Sequence, residues 1–376
     1  MSHIRRLTLT DFRNYASLSI DIESRMVVLT GDNGAGKTNL LEALSLLAPG
    51  RGLRRATYSD IARETGGGTF AINVQLMSGG DAVSIGSGTV AIDDAGAEPT
   101  RKTRINQANA KSADELLEWV RVMWLTPSMD GLFTGPPAER RRFLDRLVLT
   151  VSTHHGQSSM AYEKAMRDRN KLLTDGSRDW RWLAAIETQM AEAATAVAAA
   201  RVETVTLLAA MMDRLPNDGA FPKADLALEG QLETLLLTSP AVEVETRFRD
   251  LLAENRERDR AAGRALDGPH RSDLLVRHRP KDMPAALCST GEQKALLVGI
   301  VLSHARLVAE MSGLAPLLLL DEIAAHLDAN RRAALFAILE DLGGQVFMTG
   351  TDMSLFSALT GKGQFLTIDH GSVRAP

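Results

Sequence analysis

The sequence predicts an α/β fold interrupted by a helical insertion, and three observations carry that reading. Strand-like apolar segments, a glycine-rich turn and a helix follow one another within residues 1–47. Far along the chain, residues 317–322 are four leucines and two acids, a buried strand that ends in carboxylates. Between them, from about 138 to 265, Ala, Glu, Arg, Leu and Met dominate, and these are strong helix formers. Neither α/β piece is long enough to be complete alone, so the two are expected to share one sheet. The segments read from composition are 1–137, 138–265 and 266–376.

The elements follow in order. Strands are predicted at 7–10, 18–22 and 26–30, and a helix from 37 to about 47. Residues 66–108 are rich in Gly, Ser and Thr, with a strand-like piece at 70–76, which predicts a small β-rich subdomain. An amphipathic helix at 138–149 puts Phe143, Leu144, Leu147 and Val148 on one stripe. A long helix at 182–215 is broken by Pro216, Asn217 and Gly219, and another spans 242–262. Helices at 291–310 and 329–342 flank the leucine strand, with Asp328 as N-cap of the second, and a strand follows at 346–348.

Composition narrows the function classes. A chain of 376 residues with 44% hydrophobic content fits two or three structural units and excludes a wholly disordered one. A net charge of −4 gives no global attraction to nucleic acid, so any such contact must come from a local basic face. The one cysteine, Cys288, cannot form an internal disulfide, which fits a reducing compartment. Nothing at the N-terminus reads as a signal peptide, and the longest apolar stretch, near 295–302, is too short to span a bilayer. A cytoplasmic protein without a membrane partner is expected. His154, His155 and His270 have no accompanying cluster that would make a metal site.

The chemistry concentrates in two motifs. Gly31, Asp32, Asn33, Gly34, Ala35, Gly36, Lys37 and Thr38 satisfy G-x-x-x-x-G-K-[ST]. The glycines let backbone N–H groups curl around a phosphate, and the following helix adds the positive end of its dipole. Lys37 is placed to reach β- and γ-oxygens of ATP, and the Thr38 hydroxyl to ligate Mg²⁺. An ordinary glycine turn would fit the loop alone; the apolar strand before it and the helix after it favour nucleotide. In the second motif Asp321 is the other Mg²⁺ group, and Glu322 the carboxylate that polarises the attacking water. Lys37, Asp321 and Glu322 are the expected catalytic set.

Residues 289–294, from Ser289 through Thr290, Gly291, Glu292 and Gln293 to Lys294, open a helix. Locally they make a capping box from Ser289 to Glu292. They also resemble the signature motif of the ABC ATPase superfamily, usually Ser-Gly-Gly-Gln, with Thr290 and Glu292 as departures. Four further segments resemble the RecF family of bacterial recombination-mediator ATPases, relatives of the SMC proteins. They are residues 11–15 (Asp-Phe-Arg-Asn-Tyr), 127–145, 268–274 (Gly-Pro-His-Arg-Ser-Asp-Leu) and 321–335.

That resemblance implies an ABC-type head built from the two chain ends, with the helical insertion as a short arm. It implies a nucleotide-sandwich homodimer in which Ser289 and Gly291 of one chain meet the γ-phosphate held by the other. It implies nucleotide contacts from Arg13 and Asn14, and a DNA-stimulated ATPase acting on gapped or double-stranded DNA and at single-/double-strand junctions. It further implies help in loading recombinase at gaps, support of replication restart and the SOS response, and RecR and RecO as partners. Departures are Ser128 and Pro136, the lack of a Q-loop glutamine near 124–130, and Thr351 where ABC proteins carry a switch histidine. A threonine is no charged γ-phosphate sensor, so slow turnover is expected.

Basic clusters at Arg51, Arg54 and Arg55, at Arg101, Lys102 and Arg104, and at Arg141, Arg142 and Arg146 are candidates for tracking a phosphate backbone. Lys164, Arg167, Arg169 and Lys171 form a fourth, or a charged helix face. Two other readings fit the nucleotide motifs: a transport ATPase subunit, and an ATP-switched clamp in which hydrolysis is incidental.

Overall fold

The computed structural model describes residues 2–90, 99–176, 179–216 and 219–374; Asn217 and part of the glycine-rich stretch, 91–98, lie outside them. The fold is α/β, and its chain divides into two compact units. One comprises 1–130, 218–221 and 297–376, the other 131–217 and 222–296.

In the first unit the two ends of the chain do share a sheet. Its strand order is Ser372–Arg374, Gln364–Asp369, Met26–Thr30, Val346–Gly350, Leu317–Leu320 and Val122–Leu125, parallel except for the first pair. Thr30 stands opposite Gly350, and Leu320 opposite both Met348 and Leu125. Met26–Thr30, Val346–Gly350, Leu317–Leu320 and Val122–Leu125 are buried at every residue. Continuous apolar runs of this kind belong to parallel strands covered on both faces. The carboxyl ends of these strands therefore gather the loop after Thr30, the acids after Leu320 and the turn after Gly350.

A second sheet in this unit is antiparallel, in the order Tyr15–Asp21, His3–Phe12, Ala71–Ser78, Asp81–Thr89, Arg101–Ile105, Ala108–Asn109. The β-rich stretch predicted as a subdomain is thus an extension of the N-terminal hairpin. Along His3–Phe12 the buried positions are Ile4, Leu7, Leu9 and Phe12. A strict period of two cannot put Ile4 and Leu7 on one face; a register shift between Ile4 and Arg6 corrects the phase. Phe12 meets Phe70 edge-on at 5.6 Å between ring centroids.

The second unit is mainly helical. Pro137–Val151, His155–Thr174 and the 34-residue Trp180–Asp213 lead, followed by Gln231–Leu236, Ala241–Glu254 and Arg256–Ala262. Asp179 caps the long helix by accepting from the amides of Arg181 and Trp182. Fully buried Ala191, Ala194 and Ala198 let Tyr162 and Phe248 pack close against it. The single helix predicted over 242–262 breaks at Asn255, whose side chain donates to Asp267 at 3.1 Å.

Residues 224–229 and 266–296 differ from the sequence reading. Ala224–Glu229, composed of helix-compatible residues, is a strand paired antiparallel with Asp273–His278, which also holds Met283–Pro284. That pairing places 266–296 in the second unit, not with the C-terminal α/β segment as composition suggested. The apolar stretch near 295–302 lies in the 23-residue helix Thr290–Ser312, which, like Trp180–Asp213, is by length and composition sufficient to cross a membrane. Much of each apolar window, 67% and 50%, is buried inside the protein, as core helices require.

A candidate nucleotide site at the carboxyl edge of the parallel sheet

The loop after Thr30 is shaped by its glycines. Gly31 has φ 141°, and a Cβ there would lie 2.2 Å from the carbonyl oxygen of Ile368. Gly36 has φ 118°, and a Cβ would lie 2.6 Å from Asn14 Nδ2 and 2.7 Å from the Tyr15 hydroxyl. Only glycine lets the chain turn there while packing against the neighbouring strand and hairpin. Beside Gly34, in contrast, no atom lies within 4 Å of where a Cβ would stand, so the crest of the loop faces open space.

The helix Lys37–Ser45 starts with Gly36 in the cap position, no side-chain cap and no acid in its first turn. An uncapped helix N-terminus of this kind leaves backbone donors for an anionic ligand. The Lys37 ammonium donates to the carbonyls of Gly31 at 2.5 Å and Asp32 at 2.8 Å, arching over the loop. Burial lowers its pKa, an effect opposed by Glu322, Asp321 and Asp32.

The acids meet the loop from the next strand but one. Thr38 Oγ1 donates to Asp321 Oδ1 at 3.0 Å and lies 3.2 Å from Oδ2. A hydroxyl and a carboxylate side by side are hard oxygen donors, which fit Mg²⁺. Asp321 is 6% exposed and its amide donates to Leu125 O. Glu322 is half-buried and adopts φ 54°, a left-handed conformation uncommon for a long side chain. Both acids touch one buried side chain that the sequence reading passed over. Thr349 Oγ1 donates to Asp321 Oδ1 at 2.8 Å and accepts the Glu322 amide at 2.9 Å. Thr351, two residues on, is exposed. A polar residue in the otherwise apolar strand at 346–350 was the available signal.

Of the two family-implied contacts in the N-terminal hairpin, only Asn14 reaches the loop. It donates to Ala35 O at 3.1 Å and accepts from Asn39. The Arg13 guanidinium instead forks onto buried Glu42, at 2.8 and 2.7 Å, and donates to Asp60 O. Glu42, fully buried in the helix behind the loop, is a second residue the sequence reading missed. It also accepts from Arg54 at 3.0 Å, and Arg54 donates to Asn39 at 2.6 Å.

Several basic candidates accordingly serve the fold. Arg101 donates to Ser87 and to the carbonyls of Leu46, Ala48 and Gly50, tying down the chain after the Lys37–Ser45 helix, and burial lowers its pKa. Arg141 is half-buried and donates to Ser272 O. Arg142 pairs with Glu139, and Arg146 lies over the Phe143 ring, with its pKa lowered by burial. Arg169 is wholly interior, with no exposure at all. Arg51 lies over the Tyr58 ring, while Arg55, Lys102 and Arg104 are exposed. Among the described residues no group of three or more His, Cys, Asp or Glu could hold a metal.

The signature segment lies in the second unit. Ser289, Thr290 and Gly291 are exposed at the start of Thr290–Ser312. Glu292 reaches back to the Ser289 amide at 3.0 Å, as a capping box requires, and also holds Lys281. These two contacts, that with Lys281 foremost, hold the Glu292 pKa down to about 2. Gln293 turns inward and donates to Cys288 O at 2.8 Å, so it offers no amide at the exposed face.

Known proteins share this whole architecture. The model of the RecF/RecN/SMC N-terminal domain family matches residues 3–365. The DNA replication and repair protein RecF of Mesorhizobium japonicum is 67% identical over 372 residues, covering 99% of this chain and 97% of that protein. RecF of Brucella abortus is 61% identical, covering 98% and 95%. Among solved structures, the recombination mediator RecF–ATPrS of the RecFOR pathway superposes with a TM-score of 0.87 at 21% identity, covering 100% of this chain and 98% of that one. The Smc head domain of Pyrococcus furiosus gives 0.54 at 15% identity, covering 100% and 96%. At those identities the structures speak for the fold, an ABC-type ATPase head; the sequence relatives speak for the family, and the chain belongs to the RecF family.

Proposed function

We propose that this chain is a DNA-binding ATPase of recombinational repair, which dimerises on ATP and acts at gapped or double-stranded DNA. The observation that carries it is the convergence of Lys37, Thr38, Asp321 and Glu322 at one sheet edge, beside an uncapped helix N-terminus. Phosphate oxygens replace the loop carbonyls as partners of Lys37, and the first-turn amides receive the β-phosphate. Thr38 and Asp321 would hold Mg²⁺, which would supply neutralisation of phosphate charge. Glu322 orients water and accepts its proton. Asn14, held against Ala35 O, fixes the loop from the far side.

The γ-phosphate end lacks a second wall in this reading. The exposed Ser289 and Gly291 of a partner copy provide it, which makes the active form a twofold dimer. With Thr351 exposed and no histidine in its place, turnover is slow. The repair role is supported by relatives called DNA replication and repair protein RecF, and RecR and RecO as partners by a neighbour described as a recombination mediator of the RecFOR pathway. Recombinase loading at gaps, support of replication restart and the SOS response, and a cytoplasmic location extend that reading through the family resemblance alone. The DNA surface includes exposed Arg55, Lys102 and Arg104 in preference to half-buried Arg101, whose guanidinium is taken up by Ser87 and three carbonyls.

The test is phosphate release with and without gapped duplex at rising salt. DNA should stimulate release, and DNA affinity should fall steeply with salt, because a chain of net charge −4 binds only through local cations. Salt-independent affinity, or release that DNA leaves unchanged, would count against this reading.

A further inference from the structure

Thr349 is 1% exposed in the middle of the sheet, and its one hydroxyl serves both acids of the site. Its proton goes to Asp321 Oδ1 at 2.8 Å, and it accepts the Glu322 amide at 2.9 Å. The same Asp321 oxygen receives Thr38 Oγ1, so Thr349 fixes the carboxylate in the rotamer that faces the phosphate loop. The Glu322 backbone stands at φ 54°, where a long side chain rests only when its surroundings hold it. The captured amide is that hold.

We propose that Thr349 is a positioning residue of the nucleotide site, which sets Asp321 for the cation and aims Glu322 at the reacting phosphate. Its effect is exerted wholly through those two residues, since it lies beneath them in the strand Val346–Gly350. One hydroxyl couples the metal acid to the acid that handles water, so both are oriented together or lost together. Carboxylates that bind a cation depend on such hydrogen bonds for orientation. This inference rests on the ATPase reading above.

The experiment compares Thr349→Val, which keeps the shape, with Thr349→Ser, which keeps the hydroxyl. Fluorescent ATP is titrated with and without Mg²⁺, and single-turnover hydrolysis is followed. Thr349→Val should bind ATP without Mg²⁺ within about twofold of the parent, lose the gain in affinity that Mg²⁺ brings, and hydrolyse ~10–100-fold more slowly. Thr349→Ser should stay within about threefold of the parent on every measure, as an intact orienting hydroxyl requires. Normal Mg²⁺ enhancement and normal hydrolysis in Thr349→Val overturn the proposal, and so does equal impairment in Thr349→Ser. Should the valine variant fail to fold, Thr349→Ala takes its place with the same two outcomes. A parent chain that binds no ATP sinks the functional reading itself, whereas a parent that turns over and a valine variant that matches it sink only the role of Thr349.

Discussion

In the first unit, Lys37 and Asp321 stand at the end of a parallel sheet beside a loop whose crest faces open space. In the second unit, Arg169 and Arg201 are closed in on every donor. Arg169 meets Glu187 at 3.0 Å, Asp259 at 2.6 Å and Leu252 O at 2.6 Å. Arg201 forks onto Asp145 at 2.8 and 2.9 Å and also reaches Glu233, Ser272 and the Pro269 carbonyl. The Lys37 ammonium arches over a loop whose crest is open, whereas each of these arginines is enclosed by acids and carbonyls of its own unit. Residue type alone does not separate them, because the arginine of a helix face and the arginine of a core look alike in sequence.

The sharpest way to break that comparison is to exchange the consequences. Arg169→Ala should destabilise the chain by about 3–5 kcal/mol in urea unfolding, because buried Asp259 loses its cation and Glu187 keeps only Arg256. ATP affinity of the protein that remains folded should not move. Lys37→Ala should do the reverse: ATP affinity falls by at least ~100-fold with the loss of the ammonium over the loop. Its unfolding free energy should stay within about 1 kcal/mol of the parent. A stable Arg169→Ala protein, or a Lys37→Ala protein that binds ATP normally, would erase the distinction.

A smaller effect sharpens it. Burial alone would raise the Asp145 pKa, but the hydrogen bond from His155 and the Arg201 guanidinium outweigh it and bring it from 3.8 to about 2. The folded value lies below the unfolded one, so this carboxylate contributes its full stability above pH 3.8 and loses it as the pH falls through about 2. The contribution is roughly 2 kcal/mol. Asp145→Asn should therefore flatten the stability–pH curve between those values, measured by urea unfolding at each pH. An unchanged acid limb would place the acid sensitivity elsewhere.

How far the sequence could be read follows from the same contrast. The sheet shared by the chain ends, the glycine-shaped loop between strand and helix, and the 34-residue helix were legible, since each rests on local pattern: unbroken apolar runs, glycine spacing, long helix-forming stretches. The strand Ala224–Glu229 was not, because its partner lies some fifty residues away and its own residues suit a helix. Glu42 and Thr349 were missed for a similar reason. Each looks like an ordinary polar residue in its element, and only the fold brings Arg13 and Arg54 to one and Asp321 to the other. Two members of the basic clusters, Arg101 and Arg169, face inward onto carbonyls and acids that no sequence window contains, while Arg55, Lys102 and Arg104 are exposed.

The claim on which the functional account turns is that nucleotide, held at this sheet edge, brings two chains together through the exposed Ser289 segment. Glu322→Gln keeps the shape of the side chain and removes the base, so ATP should bind and persist. Light scattering of that variant with Mg²⁺–ATP should give a dimer, and a monomer without nucleotide, while Ser289→Arg should remain monomeric with ATP bound. A Glu322→Gln protein that stays monomeric at saturating ATP would contradict the account, as would a Ser289→Arg protein that dimerises as readily as the parent.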